Sequence, residues 1–338
     1  MKMSNLVGIG CLGMLVALAG CGSSDSATTA STGQTCSTLP PLTITSTTKF
    51  GFVQLYEASG LWRTANTNSI VGEAAKRGYT LVYNPGTTDA AAEQVSRFQD
   101  LIDQKVDAII VAPHDQTTIS PMVVAARKAC IPVFVEDRTV DTAIAIPGED
   151  YVTLVGSDMY KEGQQTAQWL VKKTGGKAKI LEFEGTVGSG AAVDRKRGFD
   201  EEIAKNSGMS ILHSESADFD VQKGHDLAVT MIPQYPEADW IFSHNDGMSF
   251  GIIKALQEMG KTPGKDIQIV SIDGTKDGAD DLKAGLIAEI TQCNPNHGPM
   301  VFDTIEKYAK GETIPTSIMD NDMVIDSTNI DTYLPLAF

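Results

Sequence analysis

A chain of 338 residues exceeds what one hydrophobic core usually serves, so two domains are expected. Hydrophobic residues at 42% and charged residues at 21% make it too apolar for a disordered chain and too polar for a polytopic membrane protein. The balance of 43 acidic against 27 basic side chains leaves a formal charge of −16, which excludes nucleic acid as a partner, because a phosphate backbone needs a basic face.

Lys2 precedes an apolar stretch from Leu6 to Ala19 that is too short to span a bilayer and fits an export signal over residues 1–20. It ends in Leu18-Ala19-Gly20-Cys21, small residues before a cysteine, which reads as a lipobox with Cys21 as the lipidated residue. Residues 21–48, rich in Ser and Thr, read as a flexible tether reaching roughly 30 Å from the membrane. The protein is therefore expected in the cell envelope, extracytoplasmic and lipid-anchored.

Five cysteines without a CxxC pair give no zinc site, and no metal or other cofactor is expected. Setting Cys11 and Cys21 aside leaves Cys36, Cys130 and Cys293 in a compartment that permits disulfides. Cys130 opens a strand and Cys36 lies shortly before the first one, so a Cys36–Cys130 clip at one sheet edge is possible; three buried or free thiols remain the alternative.

From Lys49 onward short apolar runs alternate with amphipathic stretches. Phe50–Leu55, Thr80–Tyr83, Ala108–Ala112 and Ile131–Val135 read as strands, and Ala91, Val95, Phe98 and Ile102 share one face of a helix between them. The alternation restarts after Asp150 with strands at Val152–Val155, Ile180–Phe183, Ile211–His213, Trp240–Phe242, Ile267–Ile272 and Leu286–Ile290. Strands that are apolar throughout are buried on both faces, as in a parallel sheet covered by helices. The fold class is α/β, with two doubly wound, Rossmann-like parallel-sheet lobes. The strand-like passage Thr153–Asp158 between them argues for a stiff hinge.

Ligands of such sheets bind beyond the carboxyl ends of the strands. The residues there are Tyr56 to Arg63, His114-Asp115-Gln116 and Glu136-Asp137-Arg138 in the first half. The second half places Gly185–Gly190 leading to Arg195, Asp218-Phe219-Asp220, His244-Asn245-Asp246 and Asp273-Gly274 there. Planar carboxylate, amide and guanidinium groups pair with vicinal hydroxyls, and aromatic rings cover the C–H face of a sugar. The mixture suits an uncharged polyol. Gly185–Gly190 lacks the order of a phosphate-binding loop, Asp320-Asn321-Asp322 lacks the glycine of a calcium loop, and Ser189 has no Ser-His-Asp partners.

Ile131–Val135 with Asp137-Arg138, Glu184–Gly188 with Asp194 to Phe199, Ala217–Asp220, His244–Asp246 and Ser271–Gly274, in this order and spacing, closely resemble the sugar-binding proteins of ABC importers. These are type I periplasmic binding proteins of the ribose-binding kind, and the likeness is strongest to their galactofuranose binders. It runs from Phe50 to about Ile325.

The resemblance implies a three-segment hinge near Ser157, Gln292 and Asp320–Asp322. One lobe would then hold residues 49–157 plus 293–321, the other 158–292 plus 322–338. It implies a ligand site made of Glu57, Trp62, Arg63, His114, Asp137, Arg138, Arg195, Phe219, Asn245, Asp273 and Gln292. The partners it implies are a monosaccharide and a membrane-bound ABC permease, and the protein is expected to be a monomer without enzymatic activity. The Tyr56–Leu61 stretch is one residue longer than in the galactofuranose binders, which shifts Glu57. Trp62-Arg63 stands where ribose binders carry a phenylalanine pair, so a furanose hexose is favoured over ribose. A sensory receptor serving a chemoreceptor or kinase is the alternative. A secreted glycoside hydrolase using Asp137 and Asp273 is a weaker one.

Overall fold

In the computed structural model, which describes residues 35–56 and 60–338, the alternation of strand and helix runs nearly to the C-terminus. The export signal, Cys21 and Glu57 lie outside the described residues. The first half supplies β1 (Lys49–Val53), α1 (Leu61–Lys76), β2 (Thr80–Tyr83), α2 (Ala91–Asp103), β3 (Ala108–Val111), α3 (Gln116–Lys128), β4 (Val133–Glu136) and β5 (Leu154–Gly156). The second supplies α4 (Met159–Thr174), β6 (Lys177–Glu184), α5 (Gly190–Ile203), β7 (Gly208–Ser216), α6 (Val221–Gln234), β8 (Trp240–Ser243), α7 (Asp246–Glu258), β9 (Gln268–Asp273), α8 (Lys276–Lys283) and β10 (Glu289–Gln292). The chain then adds α9 (Gly298–Ala309), β11 (Ser317–Met319), β12 (Val324–Asp326) and α10 (Ile330–Tyr333).

Two six-stranded sheets result, ordered β11-β5-β4-β3-β1-β2 and β12-β10-β9-β8-β6-β7. Every pairing is parallel except β12 against β10. Because successive side chains of a strand point to opposite faces, each strand feeds two cores. In the first lobe Ile109, Val111, Val133 and Val135 pack with Phe98, Leu101, Ile119 and Val123 of α2 and α3. Their neighbours Ala108, Ile110 and Phe134 pack on the other face with Ile70 of α1 and Phe302 and Ile305 of α9. The second lobe repeats the scheme, with Ile241 and Ile269 turned toward α6 and α7 and Phe242, Val270 and Ile272 toward α4 and α5. Each such side chain, fully buried, contributes roughly 1.5–3 kcal/mol. These are the two doubly wound lobes expected from the sequence.

The chain passes between the sheets three times, at Ser157–Asp158, Cys293–His297 and Asp320–Met323. The crossings bond to one another. Asn294 donates its backbone N–H to Asp322 (3.0 Å) and its amide to Asp320 (2.5 Å), and the Asp320 N–H reaches the Gly156 carbonyl (2.8 Å).

The stretch before β1 differs from its reading as a tether free through residue 48. From Cys36 onward it lies on the first lobe: Leu42 is buried, Leu39 and Ile44 pack against the α1/α9 core, and Tyr308 donates to the Pro40 carbonyl (2.6 Å). Its apolar residues alternate with polar ones, a weak pattern masked by the surrounding Ser and Thr. Cys36 and Cys130 form a disulfide with Cα atoms 5.2 Å apart, and the guanidinium of Arg127 bonds the Cys36 carbonyl (2.8 Å). Cys293 is a buried free thiol.

Candidate functional site

A cavity of about 430 Å³ opens between the carboxyl ends of the two sheets, within the size range of small-molecule pockets, roughly 300–1,000 Å³. Its walls come from both lobes. The first lobe contributes Trp62 and Arg63 from the first turn of α1 and Asp137-Arg138 from the end of β4; the second contributes Arg195, Phe219, Asn245 and Asp273. Both helix starts and strand ends converge here because each parallel strand hands over to its helix at this edge.

In the first lobe the Asp137 backbone turns into the left-handed region (φ 61°) while its N–H stays bonded to the Val155 carbonyl of β5 (2.9 Å). That turn brings the carboxylate onto the Arg63 guanidinium, with which it forms a direct ion pair. Arg63 is braced from behind by Asn66 (3.0 Å), whose amide in turn reaches Glu136 (3.3 Å) and the Pro295 carbonyl of a crossing (3.2 Å). His297, also in that crossing, bonds the buried Glu136 carboxylate (3.0 Å). Arg138 donates to the His114 carbonyl (3.1 Å) and lies over the Phe219 ring of the other lobe, 5.3 Å from its centre.

In the second lobe Arg195 projects from α5, tied to Glu162 (2.7 Å) and to the His244 carbonyl (2.6 Å). His244 is itself buried and bonded to Glu182 (3.0 Å). Asn245 caps α7 by accepting the Met248 N–H (2.9 Å), so its amide oxygen is occupied by the helix while its NH₂ group faces Phe219 and the cavity. Phe219 sits at φ 60° with the tip of its ring against Gly185; a Cβ added at Gly185 would stand 1.9 Å from that ring. Only glycine lets the ring settle there. Asp273 ends β9 at φ 131°, its carboxyl 3.8 Å from Arg195.

The charges are balanced unevenly. Burial would raise the pKa of Asp137, but the Arg63 and Arg138 guanidinium groups more than offset it and hold the carboxyl below its usual range. Burial dominates at Asp273, only partly countered by Arg195 and reinforced by Asp246 and Glu162, so this carboxyl titrates well above the ordinary value. Burial also lowers Arg138 to about 10, with Asp137 offsetting and Arg63 and Arg195 adding to the loss. Arg195, although buried, is held charged by Glu162. The cavity thus sets Asp137 against the Arg63 and Arg138 guanidinium groups and holds Asp273, whose neutral form burial favours, beside Arg195. That is an environment for hydroxyl groups, in which a net ligand charge would stand uncompensated.

Trp62 closes one side. Its indole N–H donates to the Cys293 carbonyl (2.8 Å), fixing the ring against the second crossing, and the Arg63 guanidinium lies 4.8 Å from its centre.

Eight of the residues singled out from the sequence meet on this cavity: Trp62, Arg63, Asp137, Arg138, Arg195, Phe219, Asn245 and Asp273. His114 and Gln292 do not line it. His114 serves Arg138 and Gln94 through its backbone, its ring turned toward Asp89 (3.6 Å) and Asp115 (3.4 Å). Gln292 ends β10, half-buried, with its N–H bonded to the Met323 carbonyl (2.8 Å). Asp89, Thr275 and Cys293 line the cavity without having been singled out as ligand residues. Asp89 follows a strand end, the same signal that marked Asp137, but a longer loop separates it from β2. Among the described residues, none of the His, Cys, Asp and Glu clusters fits a metal ion, and no helix is long and apolar enough to cross a membrane.

Comparison with known proteins agrees with this geometry. Residues 50–331 match the family described as periplasmic binding protein domain. The galactofuranose-binding protein YtfQ of Escherichia coli K12 is 36% identical over 282 residues, covering 82% of this chain and 85% of its own. Among solved structures, a Mycobacterium smegmatis protein in complex with β-D-fucofuranose is 34% identical with a TM-score of 0.80, covering 85% of this chain and 94% of its own. The periplasmic binding protein component of the arabinose ABC transporter of Shewanella sp. ANA-3, bound to α- and β-L-arabinofuranose, is 31% identical with a TM-score of 0.79, covering 86% and 95%. The chain belongs to the periplasmic binding protein family.

Proposed function

We propose that this protein captures a monosaccharide in its furanose form between the two lobes and releases it unaltered to an ABC permease. A lipid on Cys21 would hold it at the membrane. One observation carries the reading: Asp137 and Arg138 of one lobe face Arg195, Asn245 and Asp273 of the other across a single cavity, with Trp62 and Phe219 as its aromatic walls. Hydroxyls gripped from both sides stabilise the closed arrangement over the open one, a shift of population by differential contacts. The similarity to proteins that bind galactofuranose, fucofuranose and arabinofuranose supports a five-membered ring.

The test is a thermal-shift screen across pentoses and hexoses, including sugars locked as furanoses. A true ligand raises the melting temperature with concentration and is recovered chemically unchanged. If no saccharide stabilises the protein, or if incubation with glycosides yields product, the proposal fails.

A further inference from the structure

The strands nearest the crossings, β5 and β11 in one sheet and β10 and β12 in the other, lie at one side of the molecule. Further from the crossings, the loops after β3 and β4 of the first sheet meet the loop after β6, next to the last strand of the second. There the Gln116 N–H of the first lobe donates to the Gly188 carbonyl of the second (3.1 Å). Beside it, Gly190 is pressed onto Thr139: a Cβ built on Gly190 would stand 2.3 Å from the Thr139 hydroxyl and 2.8 Å from its backbone nitrogen. Thr139 is held in place by the Gln116 side chain, whose amide donates to that hydroxyl (2.7 Å). None of these four residues lines the cavity.

We propose that Gly190 packed on Thr139, with Gly188 bonded to Gln116, forms a latch across the cleft mouth that sets sugar affinity without touching the sugar. The inference rests on the proposed sugar-binding reading. Its logic is steric. Gly190 opens α5 with no left-handed backbone, so alanine there carries no backbone strain. The nearest atoms its methyl would meet belong to Thr139 of the other lobe, and one of them is backbone that cannot rotate away. The methyl is therefore accommodated in the open form and excluded from the closed one. A smaller closed population weakens apparent affinity in proportion. Gly188 sits at φ 77°, so a side chain there would disturb the loop itself; Gly190 is the cleaner probe.

The experiment compares wild type, Gly190→Ala and Gly72→Ala, whose added Cβ meets nothing within 4 Å. D-galactose, D-fucose and L-arabinose solutions serve as probes, read by titration, stopped-flow kinetics and small-angle scattering. Gly190→Ala is expected to bind about tenfold more weakly or worse, with the loss in the dissociation rate and a reduced sugar-induced contraction. Its unliganded melting temperature should match wild type, and Gly72→Ala should bind normally. Adding Thr139→Ala to Gly190→Ala removes the closest opposing atom and should return part of the affinity, which a misfolded variant would not do. Equal binding and contraction in wild type and Gly190→Ala, or no recovery in the double variant, overturns the latch alone. A wild type that responds neither to these sugars nor to any other in the furanose-inclusive screen overturns the binding reading, and the latch with it.

Discussion

Asp137 and Asp273 face the same cavity from opposite lobes, yet their surroundings separate their chemistry. Arg63 clasps Asp137 and holds it toward its anion, whereas burial pushes the Asp273 carboxyl toward its neutral form, which can donate as well as accept. The two should therefore answer differently to the same substitution. Asp137→Asn strips the charge partner from a buried guanidinium and is expected to weaken binding by at least ~1.4 kcal/mol, about tenfold. Asp273→Asn keeps the shape and the neutral form that burial favours and should lose less than about 1 kcal/mol, whereas Asp273→Ala should lose as much as Asp137→Asn. Titration calorimetry near neutral pH with the stabilising sugar separates these outcomes; equal losses in the two Asn variants would contradict the assignment. The eight cavity residues were legible because the carboxyl ends of parallel strands mark the ligand edge and the family resemblance singled out these residues along it. The layer behind them was not. Glu162 under Arg195, His297 under Glu136 and the Pro295 carbonyl that Asn66 reaches behind Arg63 come from segments remote in sequence, and nothing local in a glutamate or histidine announces its distant partner.

At the scale of elements, α2 shows where periodicity succeeds and where it slips. Phe98 lies on the buried face as expected, but Val95 and Ile102 are at its margin, and Gln94 and Arg97 are buried instead. They are buried because they work: Gln94 bonds the Ala112 carbonyl and the His114 N–H, and Arg97 bonds the Gln54 and Asn84 carbonyls, tying the loops beneath the cavity. Polar residues on an apolar face are unreadable until those loop carbonyls are known. The short edge strands β11 and β12 were missed for a related reason, having three residues each, one of them polar. The stem from Cys36 to Thr48 is the other misjudged element, and the disulfide explains its attachment. It closes 94 residues of separation, so replacing Cys36 and Cys130 by serine should cost about 2–5 kcal/mol in the unfolding free energy. Denaturant titration of the double variant beside the oxidised wild type measures this, and an unchanged midpoint would deny the disulfide its role.

The whole molecule carries its buried acids into solution behaviour. Burial raises Asp246 to about 6, and burial also pushes Asp273 and Glu289 upward. Unfolded, these groups titrate near pH ~4, so from there upward the folded chain binds more protons than the unfolded one and stability falls as pH rises. His297 acts in the same direction. Burial opposes its proton, but Glu136 more than compensates, so its contribution is present in acid and lost as pH climbs through its raised value. His244, lowered by burial, works the opposite way. Asp137, being depressed, matters only in stronger acid. Scanning calorimetry of the sugar-free protein should find a higher melting temperature at about pH 5.5 than at about pH 7.5. An equal or lower value would show that these carboxyls are not buried as described.

The threefold passage of the chain between the sheets has an outcome for anyone who would take the molecule apart. The first sheet is completed by β11, made only after the second lobe is nearly finished, and the second by β12, made after that. A nick at the first crossing therefore divides the lobes unequally: the C-terminal fragment keeps every strand of the second sheet and also carries off α9 and β11, which the first lobe needs. A gene divided there would yield a first-lobe polypeptide that must find its partner before its own sheet is complete.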